Sequence, residues 1–392
     1  MVYRYGCLYS LLSLLLLLVA CARRPPVLEP LAPRRSAYHA PVPDRGPGSV
    51  PTQLPSLPRT DAPVPATKPS AVDVARNAYA QAYQELAKML DGRYPLSFKR
   101  AVFLTENAYF DNRLSYEEFA GHIAALSQVA RLLKTANDPY FLYDQPDKEQ
   151  VARNAALFML MKDTTRFSKT EKLVPFRYDF EDFNGGRDWR KMFVTKLLLT
   201  HQGNCHSLPF LYKILAEETG APAWLALAPN HIYLKQHNEK DGWYNTELTS
   251  RTFPNDAWLT ASGYISKQTI VSGIYMDTLS AQHNVVLCLV DLAKGYERRV
   301  GPTAAEPFVL RCTDLALQHF PQYINAQLLR AEVLRRRFER QTTTTTSQQA
   351  FAEMEAAYTR IFETGYREMP ASMYAEWLQA VVKEKAKYQT PR

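Results

Sequence analysis

Apolar side chains recur at helical spacing over most of the chain beyond residue 70. Val72, Ala75, Ala78, Ala82, Leu86, Met89 and Leu90 share one helix face, which Asp91-Gly92 closes. Phe98 to Tyr109 and Tyr116 to Leu133 carry the same period. Ser115 followed by Glu118 has capping-box spacing and marks where the second of these starts. Gln150 to Met161 reads as a further helix, and Leu173 to Arg187, polar, aromatic and glycine-containing, as irregular chain or strand. After about residue 280 only helices are predicted: Val285 to Tyr296, Phe308 to Phe320, Ala326 to Phe338, Phe351 to Phe362 and Ser372 to Val382, with Pro321 and Pro370 in turns. A threonine-rich stretch, Gln341 to Ser347, interrupts them.

The middle of the chain reads differently. The mainly apolar Met192 to Leu199 leads into His201-Gln202-Gly203-Asn204-Cys205-His206-Ser207-Leu208-Pro209-Phe210. Leu208, Leu211, Ile214 and Leu215 then mark a helix face ending near Gly220. Proline is tolerated in a first helical turn, so Pro209 sets the helix start near His206 or Ser207 and leaves Cys205 at its N-terminus. Unpaired N–H groups and the positive end of the dipole there favour a thiolate. Ala223 to Leu227 and Ile232 to Lys235 read as strands, Asn238 to Gly242 as a turn, and Trp243 to Leu248 as the return strand. A hairpin centred on Glu239 sets His231 opposite Glu247, with Cβ atoms ~4.5–5.5 Å apart. A carboxylate so placed orients an imidazole.

Composition changes the picture at the N-terminus. Of the 26 prolines, 13 lie between Cys21 and Ser70, a density that cannot pack a core. The folded part therefore starts after about residue 70. The formal charge of +8 is also uneven. Residues 22–70 hold seven Lys/Arg against three Asp/Glu, and Arg4 adds one cation, which leaves the remainder at only +3. No concentrated basic face is implied, and a nucleic-acid partner is not expected. Five cysteines in 392 residues exclude a disulfide scaffold. Cys288 and Cys312 lie in apolar helical patterns, as buried thiols or as a pair. Leu8 to Ala20 is an apolar run too short for a comfortable membrane span, which needs ~20 residues. It has the length of a signal-peptide core.

Three resemblances follow from these residues. Leu18-Val19-Ala20-Cys21 resembles the bacterial lipobox, which implies cleavage before Cys21 and its lipidation. Ala22 is not the aspartate associated with inner-membrane retention, so an outer-membrane anchor in the cell envelope is implied. Gly203-Asn204-Cys205, Asn230-His231 and Trp243-Tyr244-Asn245-Thr246-Glu247-Leu248-Thr249 resemble, in order, three elements of the transglutaminase-like superfamily. That likeness implies an α+β, papain-like core: a helix carrying cysteine, packed on an antiparallel sheet carrying histidine and acid. It further implies cysteine-dependent chemistry on a peptide or protein amide, with Cys205 as nucleophile, His231 as general base and acid, and Glu247 as orienting group where the family usually has aspartate. Phe308 to Phe338 resembles a tetratricopeptide-type helix pair, which implies a surface for a protein partner.

The expected organisation is a signal peptide over 1–20, a proline-rich tether over 21–70, a transglutaminase-like domain with a helical N-terminal part over 71–280 and a helical region over 281–392. Gln202 or Asn204 is expected to donate to an oxyanion. Trp224, Trp243 and Tyr244 are candidates for the cleft wall or the core. Cys205 with His201, His206 or His231 offers ligand types for a metal, but their spacing matches no compact pair at i, i+4. No metal or other cofactor is expected. A binding scaffold that keeps the triad only as a remnant is the competing reading.

Overall fold

The computed structural model describes residues 70–370, 372–374 and 376. The lipobox, the proline-rich tether and most of the helix expected over 372–382 lie outside the described residues.

Serine caps open the first helices. Ser70, Ser97 and Ser115 accept from Asp73, Arg100 and Glu118 N–H at the heads of α1 (Ala71–Leu90), α2 (Phe98–Tyr109) and α3 (Tyr116–Asn137). α4 (Lys148–Lys162) follows. Short strand pieces lie in and around the stretch read as irregular or strand, Leu173 to Arg187. β1 (Thr165–Arg166) pairs antiparallel with β2 (Lys172–Leu173), and β3 (Arg177–Tyr178) pairs parallel with β4 (Gln202–Gly203). α5 (Val194–Thr200) precedes β4, and α6 (Ser207–Thr219) follows it. Gly220, at φ 68°, ends α6 in the left-handed conformation that glycine accepts.

The main sheet is antiparallel, in the order β5 (Trp224–Ala228), β6 (His231–Asn238), β7 (Gly242–Thr246). Its hairpin is centred on Lys240 rather than Glu239: Asn238 faces Gly242 and Leu234 faces Thr246. The expected register was therefore off by two residues. An even shift keeps each side chain on its face, so His231 and Glu247 still look to the same side. Two five-residue helices not anticipated from the sequence follow, α7 (Asp256–Thr260) and α8 (Lys267–Val271).

The C-terminal helices are α9 (Ala281–Val300), α10 (Pro302–His319), α11 (Ile324–Glu339) and α12 (Thr344–Glu363). α10 starts at Pro302, a turn and a half before the expected Phe308, and carries Pro307 inside it. The threonine-rich stretch is no break in structure beyond Thr343, because α12 begins at Thr344.

The core crosses the boundary expected at 280. Val285, Val286, Leu287, Leu289, Val290 and Leu292 of α9 are each at most 1% exposed. They pack against α1, α2 and α10. α6 is buried on nearly every side, with α3 and α4 on one flank and β5 and β6 on another. Each such aliphatic side chain contributes ~1.5–3 kcal/mol of burial. One apolar cluster joins residues of α1, α6, the main sheet and α9. The described residues form one unit, and the fold is α+β with helices predominating. No helix among the described residues is long and apolar enough to cross a membrane.

Candidate active site

Cys205 sits between β4 and α6, and local chemistry fixes it there. A Cβ on Gly203 would lie 2.5 Å from Ser207 Oγ and 2.9 Å from Leu197 Cδ1, so only glycine fits. Asn204 Oδ1 accepts from the N–H groups of His206 and Ser207, both at 3.0 Å, and so caps α6. Its Nδ2 donates to Phe183 O at 2.8 Å. The side-chain amide of Asn204, expected as an oxyanion donor, is thus engaged in holding the turn. Gln202 is exposed on β4. The Cys205 thiol donates to Asn230 O at 3.7 Å.

His231 opens β6 after a two-residue turn, Pro229-Asn230. Asn230 has φ 54°, a left-handed conformation that asparagine tolerates. Glu247 lies just past β7, where its backbone leaves the main sheet and exchanges hydrogen bonds with Thr252. Its Oε1 accepts from Thr249 N–H at 2.7 Å, and its Oε2 makes a short hydrogen bond with His231 Nε2. His231 Nδ1 lies 2.8 Å from the Tyr374 hydroxyl. Cys205, His231 and Glu247 are all buried, and the sequence-predicted triad is brought together.

The electrostatics of the three groups agree. Burial opposes the His231 imidazolium, but the Glu247 carboxylate and the Cys205 sulfur in its thiolate form outweigh it and raise its pKa to about 10. Burial pushes the Cys205 thiol up, yet its interaction with His231 leaves it below the ordinary value. Burial likewise disfavours the Glu247 carboxylate, and the His231 charge with the Thr249 hydrogen bond holds it below the usual range. The two other described thiols, Cys288 and Cys312, are free and buried, and burial raises both. The expected alternative of a disulfide between them is not formed.

The flanking histidines are turned to other work. His201 stacks on Phe176 and its Nδ1 lies 3.0 Å from Val174 O. His206 directs Nδ1 to Met192 O at 2.9 Å and Nε2 to Asp291 Oδ2 at 2.8 Å. Both nitrogens face acceptors, which calls for the imidazolium. Burial opposes that charge and Asp291 stabilises it, so the His206 pKa ends above its ordinary value. Trp224 and Trp243 stack edge-on at 5.2 Å at the far end of the sheet. Trp224 pairs with Lys235, four residues from His231, a distance of ~13 Å along the strand. These tryptophans and Tyr244, opposite Gln236, lie along that end of the ladder rather than beside the triad.

Sequence reasoning missed three contributors. Glu106 of α2 is buried and caps α5, accepting from Val194 and Thr195 N–H at 2.7 and 2.8 Å. The Tyr178 hydroxyl is buried, with the Cys205 sulfur and the Tyr374 hydroxyl as polar neighbours. Tyr374 is 1% exposed and groups with Cys205 and Met369. Each lies far along the chain from the residue it serves. For Tyr178, its place two residues after Phe176 in an aromatic stretch was the only signal.

No protein-family model matches the chain, and no curated protein does. A solved structure it is similar to is the crystal structure of menin that reveals the binding site for Mixed Lineage Leukemia (MLL) protein. Identity is 12%, over 81% of this chain and 78% of that one, with a TM-score of 0.34. A likeness at that level carries no argument about fold or function.

Proposed function

We propose that the protein is a lipid-anchored cell-envelope thiol enzyme with a transglutaminase-like site, acting on amide or acyl bonds of a peptide, protein or peptidoglycan substrate. One observation carries the reading: a cysteine at a helix start, a histidine and a glutamate meet in a buried site where each pulls the next toward its charged form. Cys205 Sγ attacks the carbonyl carbon as thiolate. The His231 imidazolium, held by Glu247, gives its proton to the departing amine. The resulting thioester is opened by water that His231 deprotonates, which returns the thiol and releases a carboxylic acid. An amine in place of water gives transfer; hydrolysis is favoured where water is abundant. The Tyr178 hydroxyl, which burial keeps protonated, suits the oxyanion. The anchor rests on the Cys21 motif.

The test is to incubate the full chain with glutamine-containing peptides and peptidoglycan fragments, and to look by mass spectrometry for released product and an acyl adduct on Cys205. Cys205→Ala should abolish both. Turnover that survives this substitution would remove the reading. A second reading has its own support, since Cys205 is 8% and His231 4% exposed in a closed site. A scaffold whose helices recruit an envelope protein would keep its biological role in the Cys205→Ala chain.

A further inference from the structure

Described residues near the C-terminus lie directly over the triad. Where α12 ends, Gln268 Nε2 donates to Glu363 O at 2.8 Å and Ser272 Oγ donates to Thr364 O at 3.0 Å. Gly365 turns the chain there with φ 79°. Beyond it the Met369 carbonyl accepts from Asn230 Nδ2 at 2.8 Å. The Tyr374 ring lies 5.3 Å from that of Phe183, and its hydroxyl reaches His231 Nδ1. The Tyr264 hydroxyl donates to Met373 Sδ at 3.1 Å. Cys205, Met369 and Tyr374 form a small apolar cluster of their own, apart from the main core, with Tyr178, Phe183 and Tyr264 packed around it. The cavity left between Ala228, His231, Leu259, Met369 and Tyr374 measures about 10 Å³. That is room for one water at most.

Three features separate this covering from ordinary core packing. Glu247 holds Nε2 of His231, so proton exchange with Cys205 must use Nδ1, which is the nitrogen facing the Tyr374 hydroxyl. The Asn230 amide, projecting from a left-handed turn, receives a main-chain carbonyl. Phe183 and Tyr264 then wall a slot filled by an aromatic side chain. A carbonyl-binding amide beside an apolar slot is the chemistry of a peptide subsite.

We infer that the cleft over Cys205 is a peptide-binding site occupied in cis by Met369 and Tyr374, and that a peptide substrate bearing an apolar or aromatic side chain must displace them. The inference deepens the proposed acyl chemistry and rests on it. The resident residues act as a competitive occupant, so the resting enzyme is closed.

The test reads site-resolved alkylation of Cys205 by iodoacetamide in the full chain. Tyr374→Ala should speed it at least ~10-fold, since an occluded group reacts only through the open fraction. Asn230→Asp, which sets a carboxylate against the Met369 carbonyl, should speed it too without touching Tyr374. A synthetic peptide of residues 366–376 added to the Tyr374→Ala chain should slow it again. Melting curves identify a variant that has unfolded, and the other variant then carries the test. Unchanged alkylation in a folded variant, or no protection by the peptide, overturns the inference. The two readings part cleanly. Faster alkylation with the pH profile of an ordinary thiol keeps the occupied cleft and removes the acyl chemistry. An unchanged rate with a low-pH profile overturns the occupied cleft and leaves the chemistry standing.

Discussion

Replacing Glu247 by glutamine tests the site at its centre. The His231 imidazolium is held to about pH 10 against an ordinary 6.5, a difference of ~5 kcal/mol. Burial acts against that charge, so Glu247 and Cys205 supply more than the net. Glutamine keeps an acceptor for the imidazole N–H and removes the charge. The His231 pKa should then fall to its ordinary value or lower, because burial remains. Without an imidazolium beside it, Cys205 should rise as Cys288 and Cys312 do, two thiols for which burial is the largest influence. The assay is the ultraviolet absorbance of the thiolate, taken as the difference between each chain and its Cys205→Ala counterpart. Cys288 and Cys312 cancel in that difference. The thiolate absorbance of the parent should set in below the ordinary thiol range, and in Glu247→Gln its onset should move to higher pH. In Glu247→Asp the onset should move the same way by less, because the carboxylate retreats by up to about 1.5 Å. A thiolate signal equal in all three chains would refute the claim that Glu247 acts on Cys205 through His231.

Three further outcomes follow from the same contacts. Gly203→Ala forces a methyl against Ser207 Oγ and Leu197, and should cost ~1–3 kcal/mol in denaturant unfolding; an unchanged midpoint would mean that the turn before Cys205 yields freely. Asp291→Ala strips the half-buried His206 imidazolium of its partner and should cost ~1.5–3 kcal/mol at low pH. The sign is fixed by the raised folded pKa: the pair's stabilisation is complete below ~6.5 and fades as pH rises through the folded value, so the loss should narrow in alkaline buffer, and a loss that grows with pH would contradict it. Tyr178→Phe should lower kcat by ~10²–10³ on any amide substrate that turns over, with the thiolate absorbance retained, and an unaltered kcat would remove Tyr178 from the oxyanion site.

What was legible in the sequence is what local interactions decide. Ser115 and Glu118 marked a helix start because a cap is a contact within one turn. The start of α6 followed from Pro209, and its end from Gly220. The side of the sheet shared by His231 and Glu247 was legible because parity survives a two-residue error in register. α7 and α8 were missed because five residues cannot show a helical period, although Asn255 and Ser266 cap them. The tertiary partners were beyond reach. Asp291 is 85 residues from His206, and Tyr374 is 143 from His231. No spacing rule links such pairs, since only the packing of α9 and of the residues after α12 brings them in.

The glutamate at 247, a departure from the aspartate that the resemblance implies, has a physical rationale in that same register. Continued past Leu234 and Thr246, the ladder would set Thr249 rather than Glu247 opposite His231. A diagonal neighbour stands ~7–8 Å away, against ~4.5–5.5 Å for a direct one. The added methylene recovers up to about 1.5 Å of that difference. The turn that pairs Glu247 with Thr252 contributes the rest by drawing the backbone out of the sheet's edge ladder. It also delivers Thr249 N–H to the second carboxylate oxygen, which fixes the rotamer the long side chain would otherwise lose. Length and register thus compensate each other. At this position of the hairpin the longer acid spans the gap to the imidazole that a diagonal register leaves.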